Sequence, residues 1–309
     1  MKRFFYFSPM RLPPFLKKGD KIALVSPAKK IQTDLQPSID IIKNWGLTPV
    51  IGTHALATHH YFAGADAQRL SDLQWALDDP EIKAILITRG GYGTTRILDD
   101  IDWTKFDRNP KWLCGFSDIT ALLSTLNNKD IACLHGPLAV TLTWDQESTE
   151  SLRSALFDGE MNYTLSPHSI NKSGITRAPL IGGNLSIICN SVGTSSQINT
   201  KNKILFLEDV GEYYYHLDRM LTQMARAGLF KQIKGLIIGD FSSMKDHKDS
   251  FGKEPLEIIT DHFAEFDIPQ VFNFPLGHEN KNLPVYCGIP ANLEVNLKGG
   301  SLNFQSIII

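Results

Sequence analysis

The sequence predicts an α/β protein with an N-terminal parallel-sheet domain and a C-terminal α/β domain that ends in β-structure. Apolar strands alternate with amphipathic helices over residues 21–137, which is typical of a parallel sheet covered by helices. A second alternating set begins near residue 178. The length of 309 residues also exceeds what one hydrophobic core usually organises. We therefore expect two domains.

The N-terminal domain is assigned to residues 1–150. Its predicted helices carry apolar residues at helical spacing, and its predicted strands are short apolar runs. The predicted elements, in chain order, are a strand at 21–27, helices at 35–46 and 65–79, a strand at 82–91, a helix beginning near 94, a strand at 111–116, a helix at 118–128 and a strand at 131–137.

Residues 151–177 are polar with few apolar anchors, which favours an interdomain linker. The C-terminal domain is assigned to residues 178–309. Its predicted elements are helices at 185–193, 213–230 and 254–266 and strands at 203–209, 233–241 and 269–277. Beyond them, a Lys-Gly-Gly turn between two alternating runs predicts a β-hairpin near 298–300.

Composition argues against several classes of partner. The net charge is −2, which favours neither nucleic acid nor an anionic membrane surface. No run of 18 apolar residues exists, and the aromatic arm at residues 4–7 is too short for a signal peptide. The four cysteines are widely spaced without a Cys-x-x-Cys pair, so we expect free thiols and a cytoplasmic protein.

Polar residues follow several of the predicted strands. Ligands of open parallel sheets bind beyond the carboxyl ends of the strands, so these residues are candidates for a site. They are Arg89, Ser117, His135, Glu208, Asp209, Asp240 and His278.

Three of these side chains form a possible set for acyl transfer. Ser117 could attack a carbonyl and His278 could take its proton. Glu208 could orient the imidazole, and the order Ser, acid, His is one in which this geometry recurs. Each residue also has a plain structural alternative. Ser117 could cap a helix, Glu208 could favour a helix N-terminus, and His278 could be a solvated loop residue.

The glycine-rich loop at 88–96, TRGGYGTTR, could present backbone N–H groups to an anion. It lacks the spacing of a dinucleotide fingerprint and the Lys-Ser/Thr of a Walker loop, which argues against nucleotide binding. An oxyanion or carboxylate site and a plain tight turn remain open. His59 and His60 are adjacent, and no zinc-type motif exists, so we expect neither a metal nor a cofactor.

Six motifs in order resemble the LD-carboxypeptidase family of serine peptidases, which includes muramoyltetrapeptide carboxypeptidases and microcin C immunity proteins. The motifs are RGGYGTTRILDDID, GFSDITALL, LHGP, GGNLS, LFLEDVGEYYYHLDRML and FPLGHENKNLPVYCG. The resemblance extends from about Lys17 to Val295. It implies two α/β domains with the active site between them, no cofactor, and a homodimer.

The resemblance also assigns catalytic roles by motif. Ser117 would be the nucleophile, Glu208 the acid and His278 the general base. Ser117 would cap its helix as well as attack.

The oxyanion hole of the family is built from backbone N–H groups. By motif these belong to Asp118 and to the glycine-rich loop, at Gly91 or Tyr92. Arg89 is a candidate for binding the terminal carboxylate of a substrate, by position only.

The implied reaction is hydrolysis of an amide between an L-centre and a terminal D-amino acid, with release of D-Ala from a murein tetrapeptide. One alternative within the family is cleavage of aminoacyl-nucleotide amides. That reaction needs an aromatic surface for a base, for which Tyr92, Trp144 and Tyr213 are candidates. Two alternatives come from other classes of protein: a non-catalytic two-lobed binding protein and a nucleotide-dependent enzyme.

Overall fold

The computed structural model describes residues 10–304, so the predicted aromatic arm at residues 4–7 lies outside the described chain. Within that range, no helix combines the length and the apolar character needed to cross a membrane. Two sheets organise the chain, and both carry helices, as the alternation of strands and helices predicts.

From residue 10 onwards, the N-terminal half supplies five strands and five α-helices. The strands are β1 (Lys21–Val25), β2 (Thr48–Ile51), β3 (Ile82–Ile87), β4 (Trp112–Gly115) and β5 (Cys133–His135). The helices are α1 (Gln36–Asn44), α2 (Asp66–Asp78), α3 (Thr104–Arg108), α4 (Thr120–Asn128) and α5 (Gln146–Phe157).

The helix predicted near residue 94 is instead a pair of short 3₁₀ turns, Thr94–Arg96 and Leu98–Asp100. Two β-branched threonines open this segment, and it is too short to offset the cost of starting an α-helix.

Up to residue 304, where the described chain ends, the C-terminal half supplies eight strands and three α-helices. The strands are β6 (Met161–Leu165), β7 (Gly174–Asn184), β8 (Ile204–Val210), β9 (Gly235–Ser242), β10 (Gln270–Val271), β11 (Val285–Cys287), β12 (Pro290–Asn296) and β13 (Gly299–Phe304). The helices are α6 (Leu185–Asn190), α7 (Tyr214–Arg226) and α8 (Pro255–Phe263).

The first sheet has the order β11-β5-β4-β3-β1-β2, with β11 antiparallel and all other pairs parallel. The second sheet has the order β10-β9-β8-β7-β12-β13-β6. Its strands β7 to β10 are parallel, and β12, β13 and β6 extend it antiparallel. The predicted hairpin is β12–β13.

Two features differ from the expected division of the chain. Residues 151–177, predicted as a linker, contain the end of α5, all of β6 and the start of β7. The segment MNYTL in β6 alternates buried and exposed side chains, a period that its polar neighbours obscured. Strand β11 lies in the predicted C-terminal domain but pairs with β5 in the first sheet. The boundaries at 150 and 177 therefore stay a prediction.

The two halves pack directly on each other where α4 meets the end of β7. A methyl group added at Gly183 would lie 2.5 Å from the Thr120 hydroxyl oxygen. The side chain of Thr120 on α4 therefore packs directly against the backbone of β7. The backbone N–H of Asn184 donates to that same hydroxyl at 3.0 Å. Because α4 begins three residues after Ser117 and β7 lies beside β8, this contact brings the two sets of strand ends together.

Candidate active site

Ser117 occupies a strained turn between β4 and α4. Its φ of +65° lies in the left-handed region, which costs a non-glycine residue about 1–2 kcal/mol. It begins a 3₁₀ turn, Ser117–Ile119, and makes no capping hydrogen bond. The expectation that Ser117 also caps a helix is therefore wrong. In this turn the hydroxyl points away from the backbone of the helix and towards the second sheet.

The structure brings His278 and Glu208 to that hydroxyl. The Nε2 atom of His278 lies 3.0 Å from Ser117 Oγ, and its Nδ1 atom lies 2.7 Å from Glu208 Oε2. Glu208 lies in the buried part of β8 and is itself fully buried, while the side chain of His278 is 19% exposed. Two residues 161 positions apart in the chain thus share a hydrogen bond, and the alternatives of a solvated histidine and a helix-dipole glutamate do not hold.

The electrostatics of this row raise the pKa of His278. Burial pulls the pKa of His278 down, but the charge and hydrogen bond of Glu208 outweigh it. Asp209 and Asp240 add to the effect, and the pKa of His278 is raised above its usual value. The row can therefore take up a proton at His278 and hold the resulting cation against Glu208.

His135, another strand-end residue, takes no part in this row. Its ring is fully buried, and neither ring nitrogen has a partner among residues 10–304. The rings of Phe116 and Phe206 lie at 5.9 and 5.0 Å from it. Burial lowers the pKa of His135 to about 3, with a smaller contribution from His278. It is a neutral packing residue.

The glycine-rich loop after β3 lies against the nucleophile. A Cβ atom at Gly90 would be 3.0 Å from the Cβ of Ser117 and 3.3 Å from its Oγ. Gly91 has a φ of +107°, which side-chain-bearing residues rarely adopt. The backbone N–H groups of Gly91 and Tyr92 donate to no acceptor within residues 10–304. This loop is the place where such groups could meet a developing oxyanion beside Ser117.

A buried arginine that the sequence did not single out holds this loop. Arg69 lies on α2 and is 1% exposed. Its guanidinium donates to the carbonyl oxygen of Pro27 and, at 2.9 Å, to that of Gly93, and it pairs with Asp66. Pro27 and Gly93 lie 42 and 24 positions from residue 69 in the chain, so no local pattern marks these two hydrogen bonds.

Asp118 holds the other side of the loop through its side chain. Its Oδ2 atom accepts the backbone N–H of Thr94 at 2.8 Å, and burial raises the pKa of this carboxyl. Oδ1 is buried with no partner in the described chain. The carboxylate thus fixes the loop relative to the turn of Ser117, a role the sequence did not suggest.

A hydrogen-bond relay joins the two sides of the site. Asn184, at the end of β7, donates its backbone N–H to the hydroxyl of Thr120 on α4 and its side-chain amide N–H to Asp209 at 2.8 Å. Asp209 also accepts the N–H and hydroxyl of Ser186 at 3.0 and 2.8 Å. The residue next to Glu208 is therefore anchored to the helix that follows Ser117.

The remaining predicted residues differ in their exposure and in their contacts. Arg89 is half-buried and forms no salt bridge within residues 10–304. Tyr92 and Trp144 are 47% and 49% exposed, and Tyr92 lies 6.0 Å from the ring of Phe62. Tyr213 already stacks on His247, with ring centroids 4.4 Å apart. Across the described chain, no group of three or more metal-ligating side chains is placed to hold an ion.

Both halves of the chain match domains of the same protein family. Residues 22–136 match the LD-carboxypeptidase N-terminal domain, and residues 177–293 match the LD-carboxypeptidase C-terminal domain. The murein tetrapeptide carboxypeptidase of Pseudomonas aeruginosa is 32% identical over 289 residues, covering 89% of this chain and 94% of that protein.

Solved structures share the fold. The muramoyltetrapeptide carboxypeptidase of Oxalobacter formigenes has a TM-score of 0.84 at 26% identity, with 92% of this chain and 98% of that chain covered. The microcin C7 self immunity protein MccF has a TM-score of 0.85 at 22% identity, with 97% and 100% covered. At the lower identity the likeness shows the fold alone.

Proposed function

This chain belongs to the LD-carboxypeptidase family of serine peptidases, and we propose that it releases the terminal D-Ala of a murein tetrapeptide. The observation that carries the proposal is the hydrogen-bonded row of Glu208, His278 and Ser117. The row supplies nucleophile, base and orienting carboxylate in one line. The name of the P. aeruginosa relative supports the choice of substrate.

Acylation would begin at the 3.0 Å contact between Ser117 and His278. Ser117 Oγ attacks the carbonyl carbon of the scissile amide while its proton passes to His278 Nε2. His278 Nδ1–H donates to Glu208, whose negative charge stabilises the imidazolium that forms. The carbonyl double bond becomes an oxyanion, with the electron pair moving onto oxygen.

The oxyanion would be bound by backbone N–H groups rather than by side chains. We assign this role to Asp118 and to Gly91 or Tyr92. In support, the 90–92 loop lies against Ser117, and Gly91 and Tyr92 have free N–H groups within the described chain. Such donors are already oriented before the reaction, which is why each contributes several kcal/mol to catalysis.

The second half of the reaction reverses the proton path. The proton on His278 Nε2 passes to the departing amine nitrogen as the C–N bond breaks, and D-Ala leaves. Water then attacks the ester of Ser117, with His278 again taking a proton and returning it to Ser117 Oγ. Every proton transfer in this scheme uses one imidazole nitrogen.

A panel of murein peptides tests the proposal. The protein is incubated with the tri-, tetra- and pentapeptide, and the released amino acid is identified by mass spectrometry. We expect D-Ala from the tetrapeptide and no release from the tripeptide. Absence of tetrapeptide hydrolysis would overturn the proposed substrate. Selective cleavage of an aminoacyl sulfamoyl nucleoside in the same panel would move the assignment to the microcin-immunity type.

We propose that the protein acts in the cytoplasm as a homodimer. The four cysteines are free and buried, which agrees with a reducing compartment. The dimer is carried over from the family resemblance. Light scattering at micromolar concentration should give about twice the mass of 34.5 kDa, and a monomer mass would contradict it.

A further inference from the structure

A group of basic and phenolic side chains lies on the far side of the glycine-rich loop from Ser117. Lys29 follows β1, Arg89 follows β3 and Ser117 follows β4. These strands are neighbours in the order β4-β3-β1, and adjacent strands lie about 4.8 Å apart. The nucleophile, the glycine-rich loop and two cations therefore stand side by side along one edge of the sheet.

The contacts place Lys29 and Tyr61 against Gly91. A Cβ atom at Gly91 would lie 2.6 Å from the Cβ of Lys29 and 3.1 Å from the hydroxyl oxygen of Tyr61. The backbone N–H of Lys29 donates to the carbonyl oxygen of Gly90. The Lys29 ammonium lies 5.0 Å from the centre of the Tyr61 ring.

The two cations on this side are unpaired within the described chain. Neither Lys29 nor Arg89 forms a salt bridge or a side-chain hydrogen bond to any residue between 10 and 304. The neighbouring Arg96, by contrast, is paired with Asp66 at 2.7 Å. Two unpaired cations and a phenol beside the nucleophile form a site suited to an anion with two oxygen atoms.

We propose that Lys29 and the hydroxyl of Tyr61, with Arg89 as a second cation, bind the terminal carboxylate of the substrate. This inference rests on the proposed function, because it assumes a peptide whose scissile carbonyl lies at Ser117. One residue spans about 3.5 Å, so the carboxylate of the departing amino acid lies about one residue length beyond the scissile carbonyl, across the glycine-rich loop from Ser117. Gly91 lies in that interval, between the nucleophile and Lys29.

The subsite would also set the point of cleavage. A peptide with further residues beyond the scissile bond has no carboxylate at that distance and leaves Lys29 without a partner. A terminal amide has the right shape but no charge. Binding at this subsite therefore restricts hydrolysis to the last residue of a chain with a free carboxylate.

Binding of two small fragments tests the subsite without any turnover. N-acetyl-D-alanine carries the carboxylate, and N-acetyl-D-alaninamide is its uncharged partner. Both are titrated by ligand-observed NMR against the wild-type protein and the variants Lys29→Met, Lys29→Arg, Tyr61→Phe and Lys201→Met. Lys201 is an exposed lysine at the opposite end of β8 from Glu208 and serves as the matched control.

We expect the wild type and Lys201→Met to bind the acid at least about tenfold more tightly than the amide. The ratio should fall severalfold in Lys29→Met, in which Arg89 still supplies one cation, fall partly in Tyr61→Phe, and be retained in Lys29→Arg. Equal binding of acid and amide by the wild type, or an unchanged ratio in Lys29→Met, would overturn the subsite. Failure of tetrapeptide hydrolysis would overturn the proposed substrate. The ratio of acid to amide binding is measured without that substrate and tests the subsite separately.

Discussion

The two sides of the candidate site are built by different physical means. On the first-sheet side, the geometry depends on backbone conformation, with φ of +65° at Ser117 and +107° at Gly91. On the second-sheet side, Glu208, Asp209 and Asp240 are carboxyl groups gathered around His278, whose pKa they raise. The first side stores conformational strain, and the second side stores unfavourably buried charge. Substitutions on the two sides should therefore change different measured properties of the protein.

The largest effect is expected at Ser117. Ser117→Ala and Ser117→Gly should each lower kcat by at least about 10⁴-fold, because both remove the proposed nucleophile. The two should differ in stability. Glycine accepts the left-handed conformation without strain, so Ser117→Gly should be more stable than Ser117→Ala by about 1 kcal/mol. Denaturant unfolding measures the difference.

The two Ser117 variants test the backbone strain at this turn as well as the role of Ser117 as the nucleophile. Retention of more than about 1% of wild-type kcat by Ser117→Ala would contradict the nucleophile assignment. Equal stability of the alanine and glycine variants would show that the first-sheet side carries no strain at this turn, and the contrast between the two sides would be lost.

The next largest effect is expected at Glu208. Glu208→Gln preserves the shape of the side chain but removes the charge that holds the imidazolium, so kcat should fall by about 10³–10⁴-fold. The melting temperature should change little, because only one of its carboxylate oxygens has a partner in the described chain.

Asp209→Asn is the matched control on the same strand. Its carboxylate accepts hydrogen bonds from Asn184, Ser186 and the backbone of Val210. Their loss should cost about 1–3 kcal/mol of unfolding free energy. Its effect on kcat should be much smaller than that of Glu208→Gln. If the two variants lose the same activity, the special role of Glu208 fails.

Gly91→Ala should lower kcat by about 10²-fold, the size expected when one oxyanion donor is displaced. The added methyl group meets the Cβ of Lys29 at 2.6 Å, so the loop must shift and the Gly91 N–H is displaced relative to Ser117. Gly211→Ala is the control, since Gly211 also has a positive φ, of +75°, but has open space around it. Steady-state kinetics and melting temperatures of both variants are compared.

Both glycine variants should lose stability, because both force alanine into a conformation with positive φ. Gly91→Ala should lose more, because its methyl group also meets Lys29. Only Gly91→Ala should lose activity. Loss of activity in Gly211→Ala would mean that backbone strain anywhere near the site lowers turnover, and it would remove the evidence that the 90–92 loop has a specific position.

The same contrast explains how much could be predicted from the sequence. Polar residues that follow apolar strands are visible as a pattern, which is why Ser117, Glu208 and His278 were singled out. Parallel strands end at one edge, so their terminal side chains meet. The carboxylates around His278 follow the same logic, since Asp209 and Asp240 also end strands.

The backbone conformations of the first-sheet side are less predictable from the sequence. Serine is not a residue that usually adopts positive φ, so the strained turn at Ser117 has no sequence signal. Arg69 bonds the carbonyl groups of Pro27 and Gly93, 42 and 24 positions away, and such contacts arise only when the strands are placed. Short strands such as β2 and β6 were missed because four or five residues of mixed polarity resemble loops.

The smallest effect is expected at Asp240, and it concerns pH rather than rate. Burial raises the pKa of Asp240 to about 6, and one of its oxygens has no partner within residues 10–304. Above that pH its negative charge favours protonated His278. Asp240→Asn removes the charge, so the pKa of His278 should fall. The acidic limb of the kcat/KM profile should then move to lower pH by less than about one unit.

Stability gives an independent check of the sign. Because the pKa of Asp240 is higher in the folded protein than in the unfolded chain, the folded state binds more protons between about pH 4 and 6. Wild-type stability from this group is present at low pH and lost as pH rises through 6. Asp240→Asn lacks that loss, so its melting temperature relative to wild type should increase from pH 4 to pH 7. Asp249→Asn, an exposed carboxylate in the following loop, should show neither change. A limb that stays in place, or moves to higher pH, would mean that Asp240 does not act on His278 and that the second-sheet side depends on Glu208 and Asp209.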